Sequence, residues 1–263
     1  MYRKDKSIQM KSSASALYNN LSVLPIGNKS LTYFTVVHGN TVNMVSASAD
    51  GLNFSHRQLQ SKEESVALSS SLITQASWCV LPSRVLLVLA SQKGIQMYES
   101  DGSIMVYWHA LDALETPQAQ AVFARGIAPA GGRYICLMFC SVTCSSVKLW
   151  DGMIAAAYGS GQIRLYDAAT GDITAELDAH ARWIYTLDIA PESGRLLSGA
   201  EDSFVQIWQL SRCAETGAIE VAHRHSECVT DTQVCGARFC DPQGTSFAVT
   251  GYDLSEIIRY VQV

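Results

Sequence analysis

Apolar residues in this chain come in short runs, most of them alternating with polar ones, and turn-forming residues separate one run from the next. "LTYFTVVHG", "TVNMVSAS", "RVLLVLAS", "GIQMYES", "QIRLYD", "WIYTLDIA", "FVQIWQL" and "IIRYVQV" are typical. A period of two, carried by β-branched and aromatic residues, predicts strands. Gly, Asp, Asn, Ser or Pro fill most of the gaps, where tight turns need them. Windows with apolar residues sustained at i, i+3, i+4 and i+7 are scarce, and capping boxes ahead of such windows are lacking. The pattern predicts an all-β chain.

A two-strand cassette recurs within this pattern: an apolar strand, a turn of small or acidic residues, and a strand ending near an aromatic. It appears as "VLLVLASQKGIQMY" (85–98), "MIAAAYGSGQIRLY" (153–166), "RLLSGAEDSFVQIW" (195–208) and "SFAVTGYDLSEIIRY" (246–260), and more weakly at 31–45. Each reads as a hairpin. A lone hairpin cannot bury its faces, so the copies must stack on one another. The cassette ends Val45, Tyr98, Tyr166, Trp208 and Tyr260 lie 53, 68, 42 and 52 residues apart. Three of these intervals fit one four-stranded propeller blade of roughly 40–50 residues. The 68-residue interval fits neither one blade nor two. It holds "AQAVFARGIAPAGGRYICLMF", which reads as the first two strands of a blade, then "CSVTCSS", which has no regular pattern. "SVKLWDG" then opens the next blade, so half a blade or more is missing at about residues 137–146.

Composition narrows the class. The chain has 263 residues, 48% hydrophobic and 16% charged, with a net charge of −5. This is the balance of a soluble globular protein with a sizeable core. It argues against nucleic acid as the main partner, because phosphate neutralisation wants a basic face. The opening "MYRKDKSIQMKSS" is charged where a secretory signal would be apolar, and "SWCVLPSRVLLVLAS" is interrupted by Pro82 and Arg84. No membrane span is expected. The eight cysteines, in a chain without a secretory signal, are expected to be free thiols in the cytoplasm.

The segment "AHARWIYTLDIAPESGRLLSGAEDSFVQIWQL" (179–210) resembles a WD repeat, although Ala179-His180 and Trp208-Gln209 depart from the family's Gly-His and Trp-Asp dipeptides. The resemblance implies a buried hydrogen-bonded tetrad of His180, Ser198, Asp202 and Trp208. Tyr98, Tyr166 and Tyr260 stand where other repeats would carry Trp. Stretches on both sides of 137–146, such as "GIQMYES", "VYWHALD" and "SFAVTGYDL", are similar to the same family, whose similar members are longer at that point. The resemblance therefore implies a single WD-repeat β-propeller domain over residues 1–263, with about five to six recognisable four-stranded blades. The ring is expected to be incomplete or irregular at 137–146. An N-terminal strand at about 6–13, "KSIQMKSS", is expected to complete the last blade, whose third strand is "IIRYVQV".

Several features invite a chemical reading. Glu201 and Asp202 in "GAED" are adjacent acids, but neighbours on a hairpin point in different directions. Asp202 is expected to serve the tetrad instead. "GSGQIR" (159–164) superficially resembles a phosphate loop, yet it lacks the third glycine and the following helix. "HRHSEC" offers His223, His225 and Cys228, with Cys235 and Cys240 beyond, as weak zinc candidates. No C-x-x-C pair is present and the spacings match no common zinc module. Cys136, Cys140 and Cys144 have no recognised cluster spacing either. No metal and no cofactor is expected. Arg182 and Trp183 follow His180, at a rim position where the resemblance implies partner contacts, and Arg and Trp anchor many interfaces. The competing expectation is that Trp183 packs under a loop.

These readings favour a non-catalytic protein–protein interaction scaffold. The resemblance implies a cytoplasmic or vesicle-associated role in signalling or trafficking, with self-association. The alternatives are a propeller enzyme with a hydrolase-type site at the funnel bottom, which would need convergent His, Asp or Glu residues from several blades, or a nucleic-acid- or phospholipid-binding propeller.

Overall fold

The computed structural model describes residues 1–27, 30–48, 54–61, 71–92, 94–110, 126–130, 134–138, 144–229 and 231–263. Two short strands, β1 (Tyr2–Lys4) and β2 (Ile8–Gln9), open the chain. The first blade is β3 (Ser22–Ile26), β4 (Leu31–His38), β5 (Thr41–Ser48) and β6 (Phe54–Gln60). The second is β7 (Ile73–Val80), β8 (Val85–Ser91), β9 (Gly94–Glu99) and β10 (Met105–Ala110). Among the described residues two strands follow, β11 (Gly126–Ala130) and β12 (Tyr134–Met138), paired as a two-stranded sheet. Four-stranded order resumes with β13 (Cys144–Trp150), β14 (Met153–Tyr158), β15 (Gln162–Asp167) and β16 (Ile173–Asp178). The next blade is β17 (Ile184–Ala190), β18 (Arg195–Ala200), β19 (Phe204–Arg212) and β20 (Ile219–Cys228). The last sheet has β21 (Val234–Phe239), β22 (Ser246–Gly251) and β23 (Glu256–Gln262).

All pairings between these strands are antiparallel, so the all-β propeller expected from the repeat is the architecture observed, with five four-stranded blades and one half-blade among the described residues. The recurring cassettes are the second and third strands of their blades. Burial explains why those strands carry the signal. The second strands β8, β18 and β22 are buried at almost every position, whereas the outer β10, β16 and β20 are mostly exposed or half-buried. A strand covered on both faces reads as a continuous apolar run, while an outer strand is free to be polar.

The core is a set of interfaces between blades. Met153, Ile163 and Leu165 meet Ile184, Leu187 and Leu196 between two of them. Leu197, Val205 and Ile207 meet Val234, Phe247 and Tyr260 at the next. The last and first blades share Ala248, Ile257, Phe34 and Val45, with Ile8 and Leu21 packed among them. Ile127 of β11 enters the apolar cluster of the second blade, and its N–H donates to Gln75 Oε1 at 2.7 Å.

In the last sheet both β1 and β2 pair with β23, with Tyr2 opposite Gln262 and Ile8 opposite Ile257. Beyond β2 the chain runs along the turn before β23, where Ala14 bridges Tyr252, and then crosses the strand ends of several blades. Asn19 N–H donates to Tyr185 O, and Ser146 Oγ donates to Asn19 Oδ1 at 2.9 Å. Asn20 N–H donates to Cys235 O, and its side chain exchanges hydrogen bonds with the backbone of Val37. One segment thus ties β13, β17, β21 and β4 together.

Candidate functional site

The "GAED" turn joins β18 to β19, with Ser203 at φ +70°. His180, just before β17, places Nδ1 3.1 Å from both Asp202 oxygens and Nε2 2.8 Å from Ser198 Oγ. Asp202 also accepts the N–H groups of Ala181 and Phe204. Burial pushes the Asp202 pKa up, but the hydrogen bond and charge of His180, with those two N–H groups, more than reverse it. The carboxyl therefore stays below its usual range. Glu201 is not drawn into this network; it pairs with Arg182 across 3.6 Å.

Serine, histidine and aspartate in this order have the connectivity of a hydrolase triad. Access decides against that use of them. The His180 side chain and Ser198 are both 0% exposed, so no substrate atom reaches the hydroxyl. The network binds the β18–β19 turn to the strand entry before β17.

Trp208 differs from the tetrad that the resemblance implies. Its indole N–H has no hydrogen-bond partner among the described residues. β19 shifts register against β20 between Ile207 and Trp208, and the indole packs edge-on against His223 at 4.9 Å. In the other blades Tyr98 donates to Gln96, Tyr166 pairs with Tyr158 hydroxyl to hydroxyl, and Tyr260 stacks on Phe247 at 4.7 Å. Each of these aromatics thus finds its own contacts in its blade.

The same register shift separates the weak zinc candidates. His223 lies opposite Trp208 and reaches Gln206 at 2.8 Å, whereas His225 lies opposite Ile207 and packs on Tyr2 of the closing strand. Cross-strand partners share a face and successive residues alternate, so the two imidazoles sit on opposite faces of the blade. Both belong to β20 itself rather than to the loop after it. Cys228 is exposed at the end of β20, while Cys235 and Cys240 lie in the last blade. Burial pushes both of those thiols up to about 12. Among the described residues, no three His, Cys, Asp or Glu side chains are placed to hold a metal ion. Cys140 lies outside the described residues, and Cys136 lies on β12.

Arg182 and Trp183 sit at the mouth of the ring crossed by the N-terminal segment. The Arg182 side chain is 66% exposed. Trp183 is half-buried: it stacks on Tyr18 at 6.3 Å, and its ring would lie 2.9 Å from a Cβ placed on Gly159. Tyr18 also stacks on Tyr185 at 5.2 Å. Trp183 thus packs beneath the crossing segment while Arg182 stays open to solvent. Tyr252, 53% exposed in the turn that bridges Ala14, extends this face.

Sequence reasoning missed a charged cluster on the first strands of three successive blades. Asp188 of β17 accepts from Arg238 Nη1 at 2.8 Å, from Lys148 Nζ at 3.2 Å and from the Phe239 N–H at 2.9 Å. Arg238 also donates to the carbonyls of Leu187 and Leu21. Burial and the neighbouring Arg238 charge push the Lys148 amine down to about 8, against the pull of Asp188.

Fold and geometry together define a WD-repeat propeller, and comparisons with known proteins make the family specific. The WDR54 family model matches residues 1–141 and 137–263. WD repeat-containing protein 54 of Mus musculus is 46% identical over 333 residues, covering 99% of each chain. The Homo sapiens protein of that name is 45% identical over 336 residues, covering 100% of both. A chain of the mitotic checkpoint complex superposes with a TM-score of 0.67 at 15% identity, covering 99% of this chain and 91% of that one. The WD40 propeller domain of Doa1 gives 0.54 at 14% identity, covering 100% and 97%. The chain belongs to the WDR54 family. The family match divides at residues 137–141, where the half-blade gives way to β13. The alignment with the human relative leaves at least 73 positions without a residue of this 263-residue chain. That is about one and a half blades.

Proposed function

We propose that this chain is a non-catalytic scaffold that binds other proteins, in a cytoplasmic or vesicle-associated signalling assembly, and that it associates with itself. The observation that supports this most is the ring mouth: Arg182 is open to solvent beside the Tyr18–Trp183 and Tyr18–Tyr185 stacks, and Tyr252 is exposed in the turn that bridges Ala14. Exposed Arg and Tyr are residue types that anchor protein interfaces. The family's propeller architecture favours the same reading, because repeated blades hold their turns rigidly at one face. The buried Ser198–His180–Asp202 network supports scaffold over hydrolase. Proximity labelling in cells, with this chain and with a relative of full family length, tests the proposal. Shared specific neighbours support binding through the blades common to both. Labelling no different from an inert control protein contradicts it.

A further inference from the structure

Away from the ring mouth, toward the opposite end of β18, a cleft opens between the β17–β20 blade and the closing strand β1. It has a volume of about 300 Å³ and is lined by Met1, Tyr2, Arg195, Ile207, Gln209, Arg224, His225 and Gln262. Three side chains able to carry positive charge face it. Arg195 is fixed in place: its Nη1 reaches Tyr2 Oη at 3.0 Å, Gly244 O at 2.9 Å and Gln262 Oε1 at 2.8 Å. Those contacts use one nitrogen of a five-donor fork. Arg224 is the exposed residue left between His223 and His225 where β20 shifts register, so the irregular pairing sends it to the cleft. His225 is only 11% exposed, and its Nε2 has no hydrogen-bond partner among the described residues, although Glu227 Oε2 lies 3.4 Å away. Glu227 is the acid that opposes an incoming anion. Asp241, near Tyr2, is occupied by the N–H and hydroxyl groups of Thr245 and Ser246.

We infer that this cleft binds a compact oxyanion, a phosphate monoester in particular, between the Arg195 and Arg224 guanidinium groups with His225 at its floor. Planar guanidinium forks match phosphate oxygens in pairs. The cleft is wider than one anion requires and leaves room for the group that carries it.

Inorganic phosphate and a phosphoserine peptide, each titrated into the full chain and followed by NMR at the His225 ring, test the inference. The unphosphorylated peptide is the control. Arg224 has an exposed side chain and a place outside the paired register, so Arg224→Glu and Arg224→Gln leave the blade intact, which the thermal midpoint verifies. Saturable shifts with both probes are expected, weakened about tenfold or more in Arg224→Glu and less in Arg224→Gln. Binding of the peptide alone would identify a protein-borne phosphate as the ligand, and binding of inorganic phosphate alone a free one. The absence of saturable shifts with both probes, or equal affinity in wild type and Arg224→Glu, overturns the inference.

Discussion

Asp202 shows how one residue changes meaning with its surroundings. As half of "GAED" it looks like chemistry, yet it holds the buried His180 side chain and two backbone N–H groups of the flanking turns. Removing its charge while keeping its shape, as Asp202→Asn, should cost about 1–3 kcal/mol in urea unfolding. The Asp202 pKa is depressed in the fold, so its stabilisation is present above the ordinary aspartate range and fades as pH falls through the folded value. The gap between wild type and Asp202→Asn should therefore close in acid. Lys148 behaves in the opposite sense. Its folded pKa of about 8 lies below its ordinary value of 10.5, so the unfolded chain binds more protons between the two, and stability rises with pH across that window. Urea midpoints measured at intervals from pH 7.5 to 10.5 should therefore shift in favour of wild type relative to Lys148→Met as pH rises, the buried thiols being common to both. The motif made Asp202 legible, whereas Lys148, Asp188 and Arg238 lie 40 and 50 residues apart in sequence. Only the stacking of blades brings those three together.

At the scale of elements, legibility follows burial. The second strands announce themselves because both faces are covered, as in "VLLVLAS" and "RLLSGA". β6, "FSHRQLQ", and β20, "IEVAHRHSEC", stand at the outer edges of their blades and carry little apolar pattern, so their extent was not legible. The crossing segment was equally hidden, because backbone hydrogen bonds, Asn side chains and single apolar residues such as Tyr18 and Leu21 hold it, without an apolar periodicity. Asn20 is 3% exposed and satisfies Ser15 and Val37 at once. Asn20→Leu leaves the buried Val37 N–H without its acceptor, while the Ser15 and Val37 carbonyls keep the Leu17 and Ser15 N–H groups. A loss of about 1–3 kcal/mol is expected, together with faster hydrogen exchange at the Asn19 and Asn20 amides.

The whole molecule is a propeller with an interruption. A chain with five full blades and a half-blade keeps its interfaces from β13 through β21 and round to β11, while β12 pairs only with β11 among the described residues. An unpaired strand edge invites association. Inserting the extra segment of a full-length relative between Met138 and Cys144 should raise the thermal midpoint and steepen denaturant unfolding, because more surface is buried. The unequal cassette spacing made the position of this interruption legible.

The scaffold reading stands or falls on the ring mouth. The deciding measurement is a binding isotherm between purified chain and a partner recovered by proximity labelling, repeated with Arg182→Glu and Tyr252→Ala. Both side chains are exposed, so both variants should keep the wild-type thermal midpoint. Each is expected to weaken binding by about tenfold or more, as anchor residues do. Unchanged affinity in both folded variants would place the interface elsewhere and contradict the account.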